Sequence, residues 1–395
     1  MRRLSLKNKD FWKGFVLAAV LVIGLPALWR FAVVNQWRIP LQMPMSKETK
    51  ADLIEEFLDR YYVEDFDAEA LEEATYAGLV AGVGDRYTYY LPAEAMGQYL
   101  ESAEGHFEGI GVEVFQDENG NTIIYSVMPG QPAESAGILA EDMIVGVDGE
   151  SVVGEPLDII VGKMRGEAGT AVDVEVYRPA TGETFTCNIV REDVAVVTVQ
   201  SELLEDDIGY IQLAGFKDNS YDQFKLAMDE LSQAGMKGLI LDLRDNPGGL
   251  VKSVYQIGEE LLPQGTMVYT EDKHGNREDL VCDAVYNDIP LVVLVNGNSA
   301  SASEIFAGAT KDSGRGEIVG TQTFGKGLVQ RLFFLPDGSG LNVTIQKYYT
   351  PNGTSIHGIG VEPDYVVEPT EISQEQGGAT EYVDTQLEKA VSLLQ

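Results

Sequence analysis

Ile289-Pro290-Leu291-Val292-Val293-Leu294-Val295-Asn296-Gly297-Asn298-Ser299-Ala300-Ser301-Ala302-Ser303-Glu304-Ile305-Phe306-Ala307-Gly308-Ala309 holds the key to both the fold and the chemistry of this chain. Leu291 to Val295 form an unbroken apolar, valine-rich run between Pro290 and Gly297. Such a run suits a strand buried on both faces. From Glu304 onward the pattern reads as helix. Three serines therefore fall where a strand gives way to a helix. Ser301 lies near the helix N-terminus, where free backbone N–H groups can stabilise an oxyanion. The same serines would also serve as plain helix caps.

A serine nucleophile needs a group that takes its proton. Histidine is the usual one, yet the chain has only His106, His274 and His357, none in a recognisable catalytic setting. Phe324-Gly325-Lys326-Gly327 instead offers a lysine in a Gly-flanked loop, 25 residues beyond Ser301. Lysine titrates near ~10.4 in water, and burial can lower that by several units. No acid stands among residues 324–329, so desolvation rather than ion pairing is the expected cause. Two more segments bear on the reading. Gly238 to Gly249, ending Asp245-Asn246-Pro247-Gly248-Gly249, is a second buried-strand pattern running into a Gly-rich turn. Glycines there let backbone N–H groups approach a substrate. Tyr348 to Asp364 is rich in loop formers.

These four segments, in this order and spacing, resemble the carboxy-terminal processing peptidases, or tail-specific proteases, and the resemblance runs from about Ser46 to Glu368. It implies a Ser-Lys dyad with Ser301 as nucleophile and Lys326 as general base. Gln330 matches the glutamine that orients the lysine, and the backbone N–H groups of Ala302 and Gly248 match the oxyanion hole. Leu328 stands where many members carry threonine, and His357 where glutamine is frequent; neither touches the dyad. The implied fold class is α/β (α+β overall), with a ClpP/crotonase-like protease core. No cofactor is implied. Nothing has metal-ligand spacing, and there is no phosphate-binding loop.

Residues 105–191 alternate short strands with Gly-rich turns and resemble an inserted PDZ domain. The loop Gly109-Ile110-Gly111-Val112 can aim backbone N–H groups at a peptide's terminal carboxylate, and the following strand edge can accept the peptide by β-addition. Protein or peptide C-terminal tails, ending in apolar residues, are the expected partners. Arg165 in Met164-Arg165-Gly166 matches an arginine that couples tail binding to assembly of the active site in some related peptidases; a solvated surface arginine is the plainer alternative.

Around these lie an N-terminal helical region (46–104), a core (192–370) and a C-terminal linker and helix (371–395). In the first, Leu53, Ile54, Phe57, Leu58 and Tyr61 recur at helical spacing behind Ser46, and Asp67 opens a second helix. In related peptidases such helices contribute to dimers, so a homodimer is an expectation by resemblance alone. The core alternates strands and helices. A last helix is expected over 380–394, with 371–378 as its linker.

The net charge is −35. Residues 1–38 hold seven basic residues against Asp10. The body beyond them is thus even more acidic than the total, which excludes nucleic acid as a partner. Residues 15–29 are nearly unbroken apolar, extending to about Val34 if Arg30 snorkels, with Trp12 and Trp29 at the ends. Basic residues precede the stretch, and no small-residue cleavage site follows it. The expectation is an uncleaved single-pass anchor in residues 1–45, with a cytoplasmic N-terminus and an extracytoplasmic body. Cys187 and Cys282 read as small buried residues. The rival reading, from another functional class, is a catalytically silent PDZ scaffold; a crotonase-like acyl-CoA enzyme is a third.

Overall fold

The computed structural model describes residues 45–395 apart from 370, 377 and 378, together with four isolated positions before residue 45; within 371–382 it describes the backbone alone. The described residues divide into two compact units, one up to Thr75 and one from Tyr76 to Gln395. The apolar segment expected as an anchor lies almost entirely outside the described residues. Among the described residues, no helix is long and apolar enough to cross a membrane.

In the first unit, the helix Lys47–Tyr61 is capped by the Ser46 hydroxyl, which accepts the Thr49 N–H at 3.1 Å. Asp67 accepts the amides of Glu69 and Ala70 and so opens the helix Ala68–Ala81.

The second unit is built on a six-stranded sheet. Ile208–Leu213, Gly238–Asp242, Leu291–Val295, Glu317–Gly320 and Tyr365–Val366 are neighbours in that order and parallel, with Val199–Leu203 antiparallel at one edge. Every residue of Gly238–Asp242 and Leu291–Val295 is buried, as a parallel sheet covered on both faces requires. Side chains alternate between two cores. Leu239, Leu241, Val293 and Val295 pack with Phe224, Ile257 and Phe306 from the helices Ser220–Gln233, Val251–Leu261 and Ala302–Ser313. Ile240, Val292, Leu294 and Val319 pack instead with Leu387, Ala390 and Val391 of the C-terminal helix Thr385–Leu394. Leu204, Tyr365 and Val367 pack in the same cluster. Each aliphatic side chain so buried contributes ~1.5–3 kcal/mol.

A second sheet contains the long strand Gly340–Tyr349, paired with Leu328–Phe334, Gly265–Asp272 and Tyr89–Leu91. Tyr89–Leu91 interrupts a region expected to be helical throughout 46–104: Tyr87-Thr88-Tyr89-Tyr90 is a run of β-formers that finds an edge some 250 residues downstream. The chain end differs too. Glu371–Gln376 and Ala379–Asp384 pair as an antiparallel hairpin, where a linker and the start of the last helix were expected. The helix starts only at Thr385, because the Asp384 carboxylate accepts the amides of Gln386 and Leu387 and caps it there.

Residues 112–190 form a separate sheet of strands Val112–Gln116, Thr122–Val127, Met143–Val147, Ala171–Arg178 and Glu183–Val190. It has its own core, which includes Ile110, Ile124, Ile160, Val174 and Ile189. The chain enters this module on His106–Gly109 and leaves it on Glu192–Ala195, and those two strands pair antiparallel. Entry and exit are thereby fixed side by side. Cys187 and Cys282 are both buried free thiols.

Arg244 ties the C-terminal helix to the sheet. It pairs with the fully buried Asp242 (2.6 Å) and reaches Asp384 (2.8 Å) and the Gln386 side chain (3.0 Å). Arg244→Ala is expected to lower stability by about 3–5 kcal/mol, the range for stranding a buried charge. It should also raise amide exchange in Thr385–Leu394 above that in Ala302–Ser313. Urea denaturation and hydrogen-exchange mass spectrometry check both.

Candidate active site

Three adjacent parallel strands end at one place. Gly238–Asp242 runs into Gly248, Leu291–Val295 into Ser301, and Glu317–Gly320 into the loop bearing Lys326. Pockets at the carboxyl ends of parallel strands are the usual ligand sites of α/β sheets. Here Gly248, Ser301, Lys326, Gln330 and Tyr348 line a common cavity of about 490 Å³.

The turns beyond the first two strands are stitched together. Asp245, in a left-handed conformation at φ 59°, accepts Asn298 Nδ2 at 2.7 Å and Asn296 Nδ2 at 3.0 Å. These two amides hold its carboxyl below the usual range. Asn246 is buried, donates to the Leu213 carbonyl, and accepts the Ala300 N–H and the Ser303 hydroxyl on its own carbonyl.

This stitching distinguishes the three serines. Ser299 is buried and donates to the Leu243 carbonyl at 2.7 Å. Ser303 is buried and donates to Asn246 at 2.9 Å. Both are structural. Only Ser301 is partly exposed and on the cavity wall. It sits at φ 55°, ψ −111°, ahead of the helix Ala302–Ser313. A non-glycine residue held there stores on the order of 1–3 kcal/mol, a cost typical of functional turns. As the first helical residue, Ala302 has an N–H with no intrahelical acceptor. Gly248 (φ 100°) packs so closely that a Cβ would lie 2.6 Å from the Ala300 carbonyl oxygen. Its N–H donates to Asn246 Oδ1 at 2.8 Å.

Lys326 is half-buried, and its Nζ lies 4.9 Å from the centroid of the Tyr87 ring. Burial lowers its affinity for a proton, and the Arg86 charge lowers it further; Glu304 and Asp85 oppose. The fully buried Tyr348 donates its hydroxyl to the Lys326 carbonyl. Gln330 reaches the cavity, and its amide Nε2 donates to the Thr344 hydroxyl at 3.5 Å.

Glu304 joins the site only in the folded chain. Although no acid is near Lys326 along the chain, the fully buried Glu304 carboxylate is bonded to its backbone. Oε2 accepts the N–H of Ser301 (2.9 Å) and of Lys326 (2.8 Å). Oε1 accepts the Gly325 N–H (2.7 Å) and the Thr323 hydroxyl (2.6 Å). The Ser-x-x-Glu spacing of a capping box was the available signal. Tyr87 and Tyr348 carried no such signal.

A second cavity, about 310 Å³, is lined by Gly109, Ile110, Gly111, Val112, Met164 and Arg165 among others. All four residues of the expected carboxylate loop are therefore on its wall. Arg165 forms a salt bridge with Glu101 and stacks 5.2 Å from the Phe107 ring. The helix Ala93–Glu104 lies between the cavities: Gln98 and Glu101 face the second, Tyr99 and Ala103 the first, and Lys217 lines both.

Residues 207–367 match Peptidase family S41, and residues 123–178 match a PDZ domain. A Carboxyl-terminal-processing protease of Synechocystis sp. is 37% identical over 331 residues, covering 82% of this chain and 77% of that protein. The chain belongs to peptidase family S41. It is a serine-type peptidase of the carboxyl-terminal-processing kind, with a PDZ domain. Carboxy-terminal processing protease CtpB of Bacillus subtilis is 33% identical over 334 residues, covering 82% of this chain and 69% of that one. Among solved structures, the photosystem II D1 C-terminal processing protease aligns with 34% identity and a TM-score of 0.48, over 81% of this chain and 87% of its own.

Glu304→Gln replaces one acceptor oxygen by a donor that faces two N–H or hydroxyl donors. The expected loss is about 2–4 kcal/mol of stability and at least a hundredfold of peptidase activity, because both the Ser301 and Lys326 backbones lose their shared anchor. Chemical denaturation beside a peptide-cleavage assay measures the two effects.

Proposed function

We propose that this S41 peptidase cleaves proteins whose C-terminal tails its PDZ domain captures, with a Ser301–Lys326 dyad. Ser301 Oγ attacks the peptide carbonyl carbon while Lys326 Nζ takes its proton. The oxyanion is met by the Ala302 N–H and by the Gly248 N–H as it turns from Asn246 Oδ1. Lys326 then returns the proton to the leaving amine, and the C–N bond breaks to give an acyl-enzyme. Water, deprotonated by Lys326, releases it. Gln330 steadies the lysine side of the cavity. The core is of the ClpP/crotonase type.

The observation that carries this reading is the common cavity lined by Ser301 and the half-buried amine of Lys326, while Ser299 and Ser303 are buried and donate to backbone carbonyls. The tail is held at Gly109 to Val112, where a backbone loop and an apolar wall share a cavity with Arg165. An N-terminal anchor in residues 1–45, leaving the peptidase body outside the cytoplasm, and a homodimer complete the proposal. The first rests on the basic-then-apolar order of residues 2–34, the second on resemblance.

Cleavage of an unstructured protein with an apolar C-terminus tests the dyad. Wild type should cut; Ser301→Ala and Lys326→Ala, shown to be folded, should lose at least a thousandfold. The wild-type rate should rise with pH through a midpoint below the ordinary lysine value of ~10.4, because burial favours the neutral amine. A rate flat from mildly acidic to alkaline pH would remove lysine as base.

Arg165→Ala should weaken stimulation by a free-carboxylate tail about tenfold while leaving the melting temperature within a few degrees. Titration of tail peptides with free and amidated ends reads this out.

A further inference from the structure

Beside Lys326 stands a second cation for which the acyl-transfer steps give no role. Arg86 lies in the loop before the strand Tyr89–Leu91. Its guanidinium carbon is 4.6 Å from the centroid of the Tyr87 ring and 5.3 Å from that of Phe324, and it donates to the Tyr87 hydroxyl. Lys326 Nζ is 4.9 Å from the same Tyr87 ring. The two cations therefore share one aromatic side chain and stand within about 10 Å, one Debye length at ~0.1 M salt. Phe324 belongs to the same short loop as Lys326, so Arg86 touches that loop directly as well.

The chain on either side of Arg86 is held in place, while the Arg86 side chain itself is exposed. Asp85 accepts the Tyr87 N–H and the Thr88 hydroxyl, the Thr88 hydroxyl in turn accepts the Thr344 N–H, and Asn342 donates to the Tyr87 carbonyl. The strand Gly340–Tyr349 that holds this loop also sends Tyr348 to the Lys326 carbonyl. The charged and titratable groups around Lys326 are thus Asp85, Arg86 and Tyr87 from the loop, Glu304 from the serine helix, Tyr348 from the strand, and His357, which packs on Gly327 and acts on Asp85. Both Glu304 oxygens are already bound by backbone and hydroxyl donors.

We propose that Arg86 is a positioning residue for Lys326: set beside the amine on the shared Tyr87 ring, its positive charge biases the amine toward its neutral form. The proposal rests on Lys326 being the base. Burial is the larger influence on Lys326 and Arg86 the next, both in the same direction. The sign follows. Removing the Arg86 charge makes the protonated lysine less unfavourable, so its titration moves to higher pH. Less neutral amine is then present near pH 7, and the deficit vanishes once the lysine is deprotonated.

The test is the pH profile of kcat/KM for wild type, Arg86→Gln, Arg86→Lys and Lys326→Ala at low salt and at ~1 M NaCl, where the Debye length falls to about 3 Å. Arg86→Gln should be about threefold slower at pH 7 in low salt, as expected for Coulomb repulsion at this range through a partly aqueous medium, and should converge with wild type at alkaline pH. High salt should narrow the gap, and Arg86→Lys should keep the wild-type midpoint. A deficit in Arg86→Gln that is equal at every pH, or an unchanged profile, overturns the charge role, as does Arg86→Lys shifting as far as Arg86→Gln. If Lys326→Ala cleaves like wild type, the base assignment falls and this proposal with it. If Lys326→Ala is inactive and Arg86→Gln unshifted, only the role of Arg86 is lost.

Discussion

Both oxygens of the Glu304 carboxylate are occupied inside the protein, and the Ser301 and Lys326 segments hang from them. Oε2 alone receives the backbone N–H of each. Two residues far apart in sequence thus have their main chains set by a single atom, on a side chain with no exposed surface. A buried carboxylate is tolerated only when its lone pairs are filled, and here four donors fill them. The dependence is mutual. The serine helix fixes Glu304, and Glu304 holds the lysine loop. The Thr323 hydroxyl extends the network by accepting the Val361 N–H, which ties in the loop-rich stretch near the chain end.

The sheet supplies the second constraint. Parallel strands that lie side by side release their chains at the same edge, so three separate turns meet there. Polar side chains then lock those turns against each other, with Asp245 holding Asn296 and Asn298 while Asn246 holds Ala300 and Ser303. These contacts leave Ser301 in a conformation that an isolated peptide would avoid. The C-terminal helix matters for the same reason at a distance. It covers the other face of the strands, and its cap is joined through Arg244 to Asp242 at the end of the strand leading to Gly248.

The PDZ domain and the peptidase cavity share the helix Ala93–Glu104 as a common wall, with Glu101 turned toward Arg165 on one side and Tyr99 toward the cavity on the other. The paired strands His106–Gly109 and Glu192–Ala195 anchor the insert beside that helix. A change at the PDZ cavity therefore has a short route through packed elements to the peptidase cavity.

The sequence by itself determined the local matters. Leu291–Val295 and Leu239–Leu241 read as buried strands, because each is a short run that is apolar on both faces. Ser46 and Asp67 announced their helices through capping chemistry, and the spacing of the PDZ-like strands marked a module with its own core. The serine–lysine pair was expected from resemblance to a family, and the structure puts both residues on one cavity wall. What the tertiary structure alone decided were contacts between residues remote in sequence. Strand order brought Gly248, Ser301 and Lys326 to one edge. Hydrogen bonds across turns made Ser299 and Ser303 structural and left Ser301 on the cavity. Glu304 met the lysine backbone, Tyr87 met the lysine amine, and Tyr89–Leu91 became a strand because a partner edge was waiting there. Local sequence encodes propensity and pattern, which act over a few residues, whereas these outcomes depend on which distant groups the folded chain sets within hydrogen-bonding reach.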